Sequence, residues 1–232
     1  PSSVWALRRL FSTTPANLAW SVGLTTNLTV KFSEPVNLAG DWFTLSCSES
    51  GTHTALTSGG PTEFTLDPEI DFSANDVCTL TVLASQVTDQ DTDDSEYDLM
   101  LTNFSTVFST GGACLLPTTP LYSIQGNGLN SPLVNTAVLT RGVVTGDFEG
   151  TNGLKGFFIQ DPTGDGDVAT SDGIFVFKNN TTDTVSNGDD IVVSGKIAEY
   201  NGLTEITSPV IQKCGTGSIV PTAINLPTDS LT

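Results

Sequence analysis

The chain has 232 residues, room for one large domain or two ordinary ones. Its 26 acidic against 8 basic residues give a net charge of −18, which opposes phosphate binding over most of the surface and suits a protein kept soluble in salt or holding divalent cations. Charged residues make up only 15% of the chain. No apolar run reaches the roughly 18 residues of a membrane-spanning helix, and a surface built from Thr, Ser and Asn favours strands over helices.

In chain order, Pro1–Phe11 (PSSVWALRRLF) shows no strand alternation and is set apart as an N-terminal arm whose role the sequence leaves open. Short strands follow. In Asn27–Val36, Leu28, Val30 and Phe32 alternate with Thr29, Lys31 and Ser33, the period of a half-buried strand. Asp41–Cys47, Glu63–Pro68, Val77–Ala84 and Leu101–Thr110 repeat the pattern between Gly, Pro and Asp breaks, which predicts a β-sandwich. Between them SGTHTALTSGG (Ser50–Gly60) reads as a polar hairpin region that leaves His53 in solvent. The stretches TTPAN (Thr13–Asn17), TNLTVKFSEPVN (Thr26–Asn37) and VTDQDT (Val87–Thr92) resemble those of bacterial Ig-like domains of the Big type, found in surface and secreted proteins. Residues 12–112 are assigned to that domain.

STGGACLLPTTP (Ser109–Pro120) has the composition of a linker, so a second domain is taken to span 113–232. Thr136–Phe148 is a long strand with glycines where a barrel must bend. Leu154–Pro162 and Asp172–Lys178 form a hairpin around an aspartate-rich loop, and Gly188–Ile206 is two strands joined by a YNG turn. Together these strands suggest an OB-type barrel. The expected fold class is all-β: an Ig-like β-sandwich followed by an OB-like five-stranded barrel.

The series YSIQGNG, SPLV, RGVVTGDFEG, GFFIQDPTGDGDVATSDGIFVF and NGDDIVVSGKIAEYNGLTEI, within Cys114–Leu226, resembles the OB-fold module of large secreted bacterial nucleases. There it lies upstream of a catalytic domain of the endonuclease/exonuclease/phosphatase class. The resemblance implies an accessory module, with a downstream nuclease domain as partner, and not an active site.

The chemistry-bearing residues agree. Such a nuclease needs clustered metal ligands and histidines, and His53 is the one histidine. Four cysteines without a CxxC pair argue against zinc and for two disulfides in an oxidising compartment. The local pairing Cys47–Cys78 and Cys114–Cys214 is preferred of three, because it staples each half separately. No leader pattern is visible, so a mature or excised secreted form is expected.

Two acidic stretches could hold calcium. Asp161, Asp165, Asp167 and Asp172 could converge on a hard cation, or serve the turn by capping loop amides. Asp89, Asp91 and Asp93 have the alternating start of a calcium loop but lack its central Gly and terminal Glu. For nucleic acid, Phe158, Phe175 and Tyr200 with Lys155 and Lys178 lie on the strands an OB-fold uses, yet the excess of acids allows only weak contact.

The function expected is therefore a non-catalytic, extracellular accessory region of a secreted nuclease, serving targeting, spacing or weak nucleic-acid contact. The alternative is a structural subunit of an extracellular fibre or surface layer, self-associating by strand donation from the arm or by edge pairing.

Overall fold

The computed structural model describes residues 10–90, 100–150, 153–167 and 169–221. Pro1–Leu116 and Pro117–Thr232 are two compact units. Among the described residues no helix is long and apolar enough to cross a membrane.

The first unit carries β1 (Leu10–Thr14), β2 (Leu28–Phe32), β3 (Val36–Leu38), β4 (Phe43–Cys47), β5 (Gly51–His53), β6 (Ala55–Gly59), β7 (Glu63–Pro68), β8 (Val77–Val82), β9 (Val87–Asp89) and β10 (Phe104–Ser109). They build sheets of order β1-β2-β7-β6 and β10-β8-β4-β5, with β3 pairing β9 alone. Alternation decides the faces: Leu28, Val30 and Phe32 of β2 enter one core with Leu66 of β7 and, from the other sheet, Leu45, Leu80, Val82 and Phe108. Cys47 and Cys78 sit opposite each other in register on β4 and β8 and are bridged. Cys114, in the short turn Ala113–Leu115, and Cys214 are disulfide-bonded as well.

Two sequence expectations change here. Strand β1 begins inside the segment set apart as an arm and pairs with β2 from Leu10 onward, across a bulge. His53 is not a solvent loop residue. It lies on β5, 5% exposed, opposite Leu45 and 5.1 Å from the ring of Phe72. The run of small polar residues hid a strand whose alternation turns Thr52 outward and His53 inward.

The second unit carries the helix α1 (Leu121–Gln125), then β11 (Ala137–Phe148), β12 (Gly156–Gln160), β13 (Gly173–Phe177), β14 (Asp189–Tyr200) and β15 (Leu203–Thr216). The strands close a barrel of order β11-β12-β13-β15-β14. Neighbours are antiparallel except β13 and β15, which run parallel through the pairs Phe175–Glu205, Val176–Ile206 and Phe177–Thr207. That is OB-fold connectivity. Inward residues Val144, Phe157, Ile159, Ile174, Val176, Ile191, Ile197 and Ile206 fill the barrel, and Leu121 and Ile124 of α1 join them. The register of β14 against β15 slips at Gly195, where a Cβ would lie 2.4 Å from Ile206 Cγ2. Asn201 and Gly202, with φ of 51° and 80°, make the tight turn that the YNG sequence predicts.

Candidate functional site: the outer face of the barrel

Barrel packing fixes which aromatics face out. Phe157 pairs with Val176 and both are buried inward; the adjacent pair Phe158–Phe175 must then point outward. Phe158 and Phe175 have ring centroids 4.9 Å apart, and Phe148 of β11 meets Phe158 edge-on at 6.1 Å. Phe175 lies across Gly156, where a Cβ would come within 2.7 Å of its Cζ. The row thus needs a glycine at the start of β12. Phe148 is 45% exposed at one end of the face and Tyr200 (64%) and Leu203 (46%) are exposed on the β14–β15 hairpin, while Phe175 between them is buried at 6%. On β15, Glu205 has the outward parity and pairs with Phe175.

Of the two lysines expected at this face, Lys155 is exposed but Lys178 is not available. Its ammonium donates to Glu149 Oε1, to Thr182 O at 2.6 Å and to Thr184 Oγ1 at 2.8 Å. Glu149, fully buried, also accepts from Thr184 N at 2.7 Å, Thr184 Oγ1 at 2.8 Å and Val185 N at 3.1 Å. Burial alone would raise its carboxyl; Lys178 and these donors outweigh it and hold the group below its usual range. Asp147, Glu149 and Asp183 bring carboxylate oxygens within 4.8 Å of one another, but the cation at this point is the Lys178 ammonium. Nothing in the sequence linked Glu149 to Lys178, 29 positions apart.

The aspartate loop between β12 and β13 is organised by its own backbone. Asp161 Oδ1 accepts from Thr163 N and Gly164 N at 2.9 and 3.2 Å, Asp165 Oδ1 from Asp167 N at 2.9 Å, and Asp167 Oδ1 from Ala169 N at 2.9 Å. Asp172 packs against Gly164, whose φ of 61° and absent Cβ make room for the carboxylate. Among the described residues these four form no triple of mutually close ligand atoms. Asp89 is buried at the end of β9. Asp91 and Asp93 lie outside the described residues.

A cleft of about 370 Å³ in the same unit is lined by Thr119, Arg141, Asp161, Asp190 and Ser218, among others. Arg141 donates to both oxygens of Asp190, at 2.9 and 2.5 Å, so its two strongest charges neutralise each other.

In the sandwich, Ser50 Oγ lies 2.7 Å from His53 Nε2, but the acid of the cluster, Asp76, bonds Ser50 and not the imidazole, unlike a catalytic triad. Asp76, fully buried, accepts from Glu49 N, Ser50 N and Ser73 N at 2.7, 3.0 and 2.7 Å, and from Ser50 Oγ at 2.5 Å. Burial opposes ionisation, but these four donors hold the carboxyl below its usual range. His53 Nδ1 donates to Ile70 O at 3.0 Å and is not oriented by the acid. The cluster ties the β4–β5 turn to the chain entering β8.

Residues 8–110, and with them all ten sandwich strands, match a known family model. A bacterial Ig-like domain occupies this stretch. The Ig-like domain covers less than half of the chain, and the barrel lies beyond it. None of the curated proteins matches the chain. Among solved structures, CopC from Methylosinus trichosporium OB3b is 16% identical with a TM-score of 0.28, covering 44% of this chain and 91% of its own. The N-terminal part of the bacterial S-layer protein SbsC is 12% identical with a TM-score of 0.32, covering 88% of this chain and 43% of its own. Neither score is high enough to inform function.

Proposed function

We propose that this chain is a non-catalytic, extracellular binding region of a larger bacterial protein. The observation that carries the reading is the apolar outer face of the barrel, where Phe148, Tyr200 and Leu203 are exposed and Phe158 packs behind Phe148. Glu149 and Asp76 have their oxygens filled by donors, and no described cysteine is free. Bridged cysteines suit an oxidising compartment. On the resemblance carried by Cys114–Leu226, the protein served is a secreted nuclease whose hydrolase domain is supplied elsewhere. Targeting or spacing fits better than a grip on nucleic acid, because Lys178 is enclosed in its ion pair. Purified chain incubated with DNA and RNA in calcium, magnesium or manganese is expected to release no product; metal-dependent hydrolysis would overturn the reading.

A second reading, a subunit of a fibre or surface layer, is favoured by one strand edge. Of the four sandwich edges, β10 is covered by the segment around Ala19, through Leu18 N to Val107 O (2.6 Å) and Ser109 N to Ala19 O (2.8 Å). Edge β1 carries a bulge and runs into Pro15, and β5 has only three residues. Among the described residues edge β6 has none of these protections: Leu56 to Gly59 are exposed and uncharged, with Leu56 at 64%. On this reading the chain self-associates in light scattering after size exclusion, and Leu56→Lys returns it to a monomer. A wild-type monomer at high concentration removes it.

A further inference from the structure

We propose that His53 is held as an imidazolium, protonated on both ring nitrogens, and that with Ser50 and Asp76 it forms a pH-sensitive clamp on edge strand β5 that opens as pH rises. The clamp lies in the sandwich and is independent of the binding role proposed for the barrel.

The hydrogen bonds leave one way to place the protons. Asp76 accepts from Glu49 N and Ser50 N on Oδ1, and from Ser73 N and Ser50 Oγ on Oδ2. An ionised carboxylate only accepts, so the single proton of the Ser50 hydroxyl, 2.5 Å from Asp76 Oδ2, goes to the acid. Ser50 Oγ is then an acceptor toward His53 Nε2 at 2.7 Å, and that nitrogen has to bring its own proton. On the other side of the ring, Nδ1 lies 3.0 Å from Ile70 O, and a carbonyl also only accepts. Both nitrogens therefore donate, which the neutral ring with its single N–H cannot do. Moving the extra proton along the relay to Asp76 is disfavoured, because three backbone amides point at that carboxylate and stabilise its charged form.

The surroundings favour the cation. The ring packs against Leu45 of β4, the turn from Cys47 to Gly51, and the segment from Glu69 to Asp76. The charged groups on these elements are Glu49, Glu69, Asp71 and Asp76, all of them acids. From Phe32 to Ser109 the sequence carries 14 acidic residues and no Lys or Arg, so His53 is the one side chain of this stretch able to become positive. The Phe72 ring, 5.1 Å away, is close enough to attract a cation through its electron-rich face. A buried charge persists when it is paired and hydrogen-bonded, and at 5% exposure His53 is both.

The clamp also has a strategic place. His53 ends β5, a three-residue edge strand, and Ala55 already opens β6 in the other sheet. Losing either ring proton removes the bond to Ile70 or the bond to Ser50. The protonated ring makes both, so the clamp is complete at acid pH and is lost as the ring deprotonates on raising the pH.

The test is two-bond proton–nitrogen NMR on the ring-labelled whole chain, which has a single histidine and so gives one unambiguous ring spectrum. The comparison is made at about pH 7.5, where an unfolded histidine is about nine-tenths neutral. The expected result is two protonated nitrogens in the native chain and the neutral pattern in the same chain unfolded by urea. As the pH is raised further, the amide signals of Ser50, His53 and Ile70 should move together with the ring signal. Ser50→Ala, which removes the acceptor of Nε2, should cut the proton affinity of the folded ring about tenfold. One bare nitrogen in the native ring at this pH, or a ring that titrates alike folded and unfolded, would overturn the proposal. So would a protonated Asp76 carboxyl in the carbon spectrum, or ring and amide signals that move independently. The wild-type spectrum decides the charge whether or not the variant folds.

Discussion

Glu149→Ala should destabilise the barrel by about 3–5 kcal/mol, the usual result of removing one partner from a buried ion pair. The Lys178 side chain is 6% exposed and would be left with only Thr182 O and Thr184 Oγ1 as acceptors. The amides of Thr184 and Val185 would lose their acceptor too. A double variant, Glu149→Leu with Lys178→Met, should recover most of the loss, because both desolvation penalties vanish together. No tryptophan lies between Pro117 and Thr232, and Trp20 and Trp42 belong to the sandwich, so tryptophan fluorescence does not follow the barrel. Urea melts should therefore be read by far-UV circular dichroism, with the tryptophan transition as internal control. A single variant as stable as wild type would refute the account. The pH dependence has a definite sign. Glu149 is held below its usual range, so its contribution is complete above the unfolded value near 4.3 and is lost as pH falls through the lowered folded value. The double variant should flatten this part of the acid limb.

Removing the Cys47–Cys78 bridge as Cys47→Ser with Cys78→Ser should cost the sandwich about 4 kcal/mol, from the loop-closure entropy of a 31-residue separation. For a unit of this size the melting temperature followed by tryptophan should fall by on the order of 15 °C. The strand pairing itself should survive, because Leu45–Leu80 and Phe43–Val82 continue the β4–β8 ladder on the same register. A melting temperature unchanged by the double substitution would mean that the unfolded chain is already compact between these positions.

Much of the architecture was legible because single strands advertise their buried side. Leu28, Val30 and Phe32, or Ile174 and Val176, alternate so regularly that strand and face are both readable. The barrel hairpins were legible through Gly and Asn at turns that need positive φ. His53 was misread because Thr and Ser around it carry no contrast between faces. The first residues of β1 were missed because Arg8 and Arg9 break the alternation just before Leu10. The outward placement of Phe158 and Phe175 could be reduced to two choices by parity, and only the barrel's packing chose. Glu149 and Glu205 were not legible at all. In DFEG and LTEIT each looks like a solvent acid, yet packing buries both, Glu149 against a partner 29 positions away.

The parallel junction between β13 and β15 holds three residue pairs, fewer than any other junction in the barrel. It is the seam along which the cylinder would unzip if pulled from its ends, and one of its three pairs is Phe175–Glu205. A load applied to the barrel's ends would therefore open it first between two strands that lie far apart in sequence, before any hairpin yields.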